Sequence, residues 1–270
     1  MRLNKKMDTG DYGMDLQLNG KVTIVTGASR GIGRSIAQVL AAEGMRLVLV
    51  ARSKDQLDEV ASSCPVDTLI HIADLRDPDA PAAAVAATVA HFGQIDLLVN
   101  NAGATKRGDF LALSDADWDD GFALKLFGAM RLSRSAWVHL QQCQGTIINI
   151  VGVGGRTGSA EFTIGGSVNA ALLNLTKSLA DRGIRDGVRV NAINPGAILT
   201  ERLHIRVKSY AAEQGIEVAA APVQMAQALG VARFGEPEEI ARMVAFLVSP
   251  LSGYCQGSII DVDGGQTRTL

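Results

Sequence analysis

The stretch VTIVTGASRGIGRSIAQVL, residues 22–40, decides the fold. It opens as a short, nearly continuous apolar and β-branched run, as expected for a strand buried on both faces. A helical pattern follows and ends at Gly44, a C-cap signal. Between the two lie Gly27, Ser29, Arg30, Gly31, Ile32 and Gly33. Glycines there let the backbone turn tightly and approach a pyrophosphate, whose charge meets the amides and dipole of the helix N-terminus. A glycine triplet alone is weak evidence; its place between a strand and a helix gives it meaning.

The same strand-then-helix rhythm continues along the 270 residues. Further strands are predicted at 46–51, 67–73, 95–100, 145–151, 188–193 and 258–262, the first one covering 21–27. Helical patterns include DPDAPAAAVAATVAHFG, which starts on Asp and Pro and closes on Gly93, a long segment over 115–142, and EPEEIARMVAFLVSP with acids in its first turn. This alternation implies right-handed crossovers and an α/β fold: a doubly wound parallel sheet of Rossmann type, about seven strands with helices on both faces. A single domain over 15–270 is expected, with residues 1–14 a flexible polar extension.

Composition narrows the function classes. A net charge of −2 gives no broad basic surface for nucleic acid. No apolar run reaches the ~18 residues of a membrane span. Cys64, Cys143 and Cys255 are scattered without metal-ligand spacing, which suits a reducing, cytoplasmic compartment, and no metal site is expected.

Several motifs together resemble the short-chain dehydrogenase/reductase family, over nearly the whole chain from about residue 16. They are the Gly-x3-Gly-x-Gly turn at 27–33, NNAG at 100–103, ADLRD at 73–77, INPGAILT at 193–200, RFGEPEEIARMVAFLVS at 233–249 and DVDGG at 261–265. The resemblance implies a carbonyl/alcohol oxidoreductase that binds a nicotinamide dinucleotide. Adenosine would lie along Asp74, Leu75, Asn101, Ala102 and Gly103, and the nicotinamide beside Pro195, Gly196, Ile198 and Thr200. The acid that would bind a ribose 2′-hydroxyl is absent after the second strand, where Ala51 and Arg52 stand. Arg52 and Arg30 converging on a 2′-phosphate would match Arg fork geometry, so NADP(H) is implied in preference to NAD.

The family's catalytic Asn, Ser, Tyr and Lys carry over by position onto Lys125, Gly152, Gly165 and Asn169. The Ser position follows the fifth strand, Tyr comes thirteen residues later and Lys four beyond that; the Asn position lies seven residues after Trp118. All four depart from the pattern. The chain's tyrosines, Tyr12, Tyr210 and Tyr254, lie outside this segment. The missing Tyr would exchange the proton of the substrate oxygen, with Lys lowering its pKa.

Three readings follow. Lys125 and Asn169 form a reciprocal exchange, so an ammonium can enter the site from the opposite helix and rebuild the acid–base group. Alternatively the chain is a nucleotide-binding homologue without turnover, a sensor or partner subunit. A third reading is a non-redox reaction on the same fold. A lid is expected over about 199–225, where His204, Arg206, Lys208 and Tyr210 are candidates to reach inward. The partners implied are a small-molecule ligand and further copies of the chain. Helices 115–142 and 166–182 match the family's dimer-forming pair and the last strand a second interface, giving a homodimer or homotetramer, with Gly121 and Gly128 allowing close helix approach.

Overall fold

The structure, a computed structural model, describes residues 14–268. Its strands are β1 (Val22–Thr26), β2 (Arg46–Ala51), β3 (Thr68–Ile72), β4 (Leu97–Asn100), β5 (Thr146–Ile150), β6 (Arg189–Pro195) and β7 (Ile259–Val262). They form one sheet in the order β3-β2-β1-β4-β5-β6-β7, every neighbouring pair parallel. Each predicted strand is present, with ends displaced by two residues at most. The expected extension lies, but for the exposed Met14, outside the described residues.

The helices are α1 (Gly31–Ala42), α2 (Lys54–Ser62), α3 (Ala80–Phe92), α4 (Asp115–Phe122), α5 (Gly128–Cys143), α6 (Thr163–Asp186), α7 (Glu201–Gln214), α8 (Ala221–Leu229) and α9 (Pro237–Val248). β1, β4 and β5 are buried throughout, as both-sided burial of a parallel sheet requires. On one face Ile36 and Leu40 of α1 pack with Ile240 and Val244 of α9. On the other, Val85 of α3, Leu132 and Leu140 of α5 and Ala180 of α6 close the core. Local signals set the helix ends. Gly93 caps α3 at φ +77°, and Glu236 and Glu239 form a reciprocal capping box on α9.

Two departures from the sequence reading matter. The segment 115–142 is not a continuous α-helix: Ala123–Phe127 forms a π turn between α4 and α5. A π turn widens the helix by one residue and re-aims the side chains it carries, commonly at functional sites. Lys125 lies in it. The second departure concerns Gly121 and Gly128, which face the chain's own interior. A Cβ on Gly121 would lie 2.6 Å from Ile164 Cγ2, and one on Gly128 3.2 Å from the Leu75 carbonyl oxygen. Both glycines serve intrachain packing rather than an exposed helix face.

A buried polar chain links the elements that carry the site. Asn100 Nδ2 donates to Asn149 Oδ1 (2.9 Å) and to Ser133 Oγ (3.1 Å), while Asn149 Nδ2 donates to Thr176 Oγ1 (2.9 Å). β4, β5, α5 and α6 are thereby tied through side chains that are all buried. Replacing Thr176 by Val keeps the shape but leaves the Asn149 amide without its acceptor. Urea denaturation of Thr176→Val is expected to report a loss of about 1–3 kcal/mol.

Candidate active site

Strand order reverses between β1 and β4, so a crevice opens at their C-terminal ends. The Thr26 hydroxyl holds its two walls together. It donates to the Val99 carbonyl (3.1 Å) and accepts from the backbone N–H groups of Asn101 (2.9 Å) and Ala102 (3.0 Å). Asn101 Nδ2 returns a bond to the Thr26 carbonyl at 2.9 Å. Gly27 and Gly31 adopt φ +63° and +54°, the left-handed region that glycine tolerates. A Cβ on Gly33 would fall 2.2 Å from the Gly27 carbonyl oxygen, so the turn folds directly onto the first turn of α1. Arg30, at the N-cap, gives that turn no side-chain cap. Its amides therefore face the crevice as free donors, the donor set a pyrophosphate uses.

The segment after β6 forms the facing wall. Leu199 N–H donates to the Gly235 carbonyl (2.8 Å) and Gly235 N–H to the Ala197 carbonyl (2.9 Å), which fixes the run Pro195, Gly196, Ile198, Thr200. Thr200 Cγ2 comes within 3.3 Å of where a Gly31 Cβ would be, so this wall closes on the glycine turn. Arg30 and Arg52 do not share a partner: Arg30 pairs with Glu201 at 3.5 Å and Arg52 with Asp74 at 3.6 Å. Burial works against the Asp74 charge, but the hydrogen bonds and charge of Arg76, with Arg52 beyond, hold its carboxyl below the usual range.

Lys125 points inward. Its Nζ donates to the Val151 carbonyl at 2.5 Å, at the end of β5, and its Cδ lies 3.0 Å from where a Gly103 Cβ would be. Arg202 Nη2 donates to the Gly103 carbonyl at 3.1 Å from the opposite side. Burial, and secondarily the Arg202 charge, lower the Lys125 ammonium to about 7. An amine at that value exchanges protons readily near neutrality.

The glycines of the 152–166 segment have two distinct causes. Gly152 takes φ +131° and ψ 147°, a conformation that side-chain-bearing residues avoid, while its N–H donates to Asn194 Oδ1 at 3.2 Å. Gly154 and Gly165 make room for one ring: Cβ atoms there would lie 2.8 and 2.1 Å from Phe162. Phe162 thus occupies the space that a residue at 165 would claim. Asn169 is buried, with Nδ2 3.2 Å from where a Gly152 Cβ would be and Oδ1 without a hydrogen bond among the described residues.

The lid candidates divide. Leu203, Val207 and Ala211 of α7 pack with Met225 and Ala226 of α8, and Tyr210 joins that apolar cluster instead of the site. His204 lies with Gly31, Gln38 and Pro237 on the rim, and Lys208 is exposed. Arg206 shares a charge cluster with Arg107. Sequence reasoning missed Arg107, Phe162 and Arg202. One signal was available for the last: Arg202 and Arg206 are four apart on a helix whose buried stripe is Leu203, Val207 and Ala211.

Comparison with known proteins agrees with this architecture. Residues 27–267 match a family model described as enoyl-(acyl carrier protein) reductase. The short-chain reductase NovJ of Streptomyces niveus is 38% identical over 251 residues, covering 91% of this chain and 93% of NovJ. The 3-oxoacyl-(acyl-carrier-protein) reductase FabG of Staphylococcus aureus is 36% identical over 256 residues, covering 91% and 97%. L-sorbose reductase from Gluconobacter frateurii, solved with NADPH and L-sorbose, superposes with a TM-score of 0.91 at 35% identity, covering 95% of this chain and 100% of the other. With a parallel seven-stranded sheet, a glycine turn at its switch point and these matches, the chain belongs to the short-chain dehydrogenase/reductase family.

Proposed function

We propose that the protein is an NADP(H)-dependent carbonyl reductase, reversible toward the alcohol, in which the Lys125 ammonium replaces the family's tyrosine as proton donor. The observation that carries this reading is the placement of Lys125 Nζ on the Val151 carbonyl, next to Gly152, with its acidity brought to about 7. The resemblance puts the family's Ser, Tyr, Lys and Asn at Gly152, Gly165, Asn169 and Lys125, so the usual relay would lack its hydroxyl groups and the charge at its Lys position.

The residues at the crevice fit the cofactor. Gly27, Ser29, Arg30, Gly31, Ile32 and Gly33 would hold the pyrophosphate at the uncapped turn of α1. Asp74, Leu75, Asn101, Ala102 and Gly103 would border adenosine, and Pro195, Gly196, Ile198 and Thr200 the nicotinamide. Arg52 and Arg30 would take the 2′-phosphate by exchanging carboxylate partners. Both existing pairs are solvent-exposed, and pairs of that kind contribute only about 0–1 kcal/mol. The NADPH-bound L-sorbose reductase supports the same choice. When bound, the cofactor supplies a hydride.

Lys125 would meet the substrate oxygen from the π turn, across the cleft from the β5 wall, and give it a proton as the carbonyl carbon is reduced. The Val151 carbonyl holds the ammonium in place, and Arg202 across Gly103 favours its giving the proton up. Asn169 offers the neutral Oδ1 as acceptor to a ribose hydroxyl. The family's habit of association and the exposed Phe127, Val138 and Ile184 on the α4–α6 side support a homodimer or homotetramer.

The test is NADPH oxidation over a panel of ketones and aldehydes. Lys125→Met is expected to lower kcat by roughly 10²–10⁴-fold while NADPH binding persists. Reduction by the unaltered protein should fall as pH rises through about 7, where the acid form of Lys125 is lost, and alcohol oxidation should rise over the same range. Turnover unaffected by Lys125→Met, or a profile flat through neutrality, would overturn the reading. Tight NADPH binding with no turnover over the panel would favour the non-catalytic alternative, to which the Phe162 ring beside Gly165 lends weight.

The lowered Lys125 value also links pH to stability. The unfolded chain binds this proton up to about 10.5, the folded chain only up to about 7, so stability rises with pH between the two. Lys125→Met should therefore raise the thermal midpoint most below pH 7, with the gain shrinking as pH climbs toward 10.5. Restoring a tyrosine is a separate check. Gly165→Tyr alone should destabilise through its clash with the Phe162 ring, by about 1–3 kcal/mol, and Gly165→Tyr with Phe162→Ala should recover most of that loss in urea denaturation.

A further inference from the structure

Four cations from three separate elements surround the mouth of this cleft. Lys125 comes from the π turn, Arg107 from the loop after β4, and Arg202 and Arg206 from one face of α7. Among the described residues none of the four is in a salt bridge, whereas Arg30, Arg52, Arg76, Lys106, Arg156 and Arg233 all are. The nearby acids offset them only in part. Glu201 is engaged by Arg30, and Glu161 is felt by Arg107 only through space.

The geometry is ordered rather than diffuse. The Arg107 guanidinium lies 4.0 Å over the Phe162 ring, a cation–π contact that fixes a long side chain. Arg202 is fixed by its bond to the Gly103 carbonyl, and Gly103 is also the residue against which Lys125 packs. Partial desolvation, then Arg206, with Arg202 adding, push the Arg107 guanidinium down, against Glu161; partial desolvation and then Arg30 do so for Arg202, while all three arginines stay exposed to solvent at the mouth. Like charges held together with Glu161 as a partial counter-charge are an unfavourable arrangement that an anionic ligand relieves. Guanidinium forks match carboxylate geometry in particular.

We propose that this cleft selects a carbonyl compound that also carries a carboxylate, the carboxylate held by Arg107, Arg202 and Arg206 and the carbonyl directed to Lys125. The proposal rests on the reading of this cleft as the substrate site. Because Arg202 and Lys125 touch the same residue, Gly103, carboxylate and carbonyl can belong to one small molecule. Arg107 and Arg206 distinguish this from a cofactor-phosphate role, since neither borders the glycine turn.

The experiment compares 4-acetylbenzoate with 4-acetylbenzamide, which share shape and ketone and differ in charge. Each is titrated calorimetrically into the protein saturated with NADP+, where no reduction occurs. The carboxylate is expected to bind about 10- to 100-fold more tightly, the range of a charged hydrogen bond. Arg107→Met and Arg202→Met should each lose most of that preference and together abolish it, with NADP+ affinity unchanged in Arg107→Met. If Arg202→Met fails to fold, Arg107→Met and Arg206→Met carry the same test, since neither side chain makes a hydrogen bond among the described residues. Equal affinity for the two ketones, or a preference that survives the double variant, overturns the inference. So does a loss of NADP+ affinity that parallels the loss of preference, which would assign the arginines to cofactor phosphates. NADPH oxidation with both ketones is followed in parallel. Preference without turnover fells the proposed reduction and leaves the anion site standing; turnover without preference does the reverse.

Discussion

The Thr26 hydroxyl, donating to Val99 and accepting from Asn101 and Ala102, fixes how far apart β1 and β4 can be where their chains diverge. At that point the sheet reverses its strand order, and a crevice has to open. Every other wall of the site is set relative to it. The glycine turn leaves from Thr26, Gly103 follows Ala102, and the polar chain through Asn100 and Asn149 carries the same spacing to β5, α5 and α6. A hydroxyl that accepts twice and donates once has no free valence left, so the spacing is rigid.

On the β5 side the constraint is steric. Gly152 has a backbone conformation that strains any residue with a Cβ, and Gly154 and Gly165 flank the Phe162 ring. These positions are not interchangeable flexibility. One is glycine because of its own dihedral angles, the others because a neighbouring ring needs the volume. Glycines and an aromatic ring thus make up much of this wall, with Asn169 the polar side chain beside Gly152.

The other side of the cleft carries an electrostatic cost. Enclosing the Lys125 ammonium near Arg202 destabilises its charge, and Arg107 and Arg206 extend the same excess outward. Strongly shifted pKa values cluster at functional sites, and structural charge networks produce them as well. The π turn is the local device that aims Lys125, and the apolar cluster between α7 and α8 is what holds the arginine-bearing face of α7 toward the cleft.

Much of this was legible in the amino-acid order. Seven apolar runs, glycines at turn positions and capping residues are local signals, and local signals fix strands, helix ends and the parallel topology. The inward path of Lys125 was readable only as a positional exchange with Asn169, because a long side chain in a helix can turn either way. The hidden parts are those in which residues distant in sequence meet. Arg107 and Arg202 approach the cleft from loops and helices about a hundred residues apart, and Phe162 explains Gly165 only once its ring is seen beside it. Likewise Gly121 and Gly128 looked like an interface until Ile164 and Leu75 came to lie against them. The sequence by itself determined the fold, the glycine turn and the absence of tyrosine from the 149–176 segment, since each depends on residue type and short spacing. Only the tertiary structure decided which charges face one another and which volume is already filled, because both are properties of contacts across the sheet.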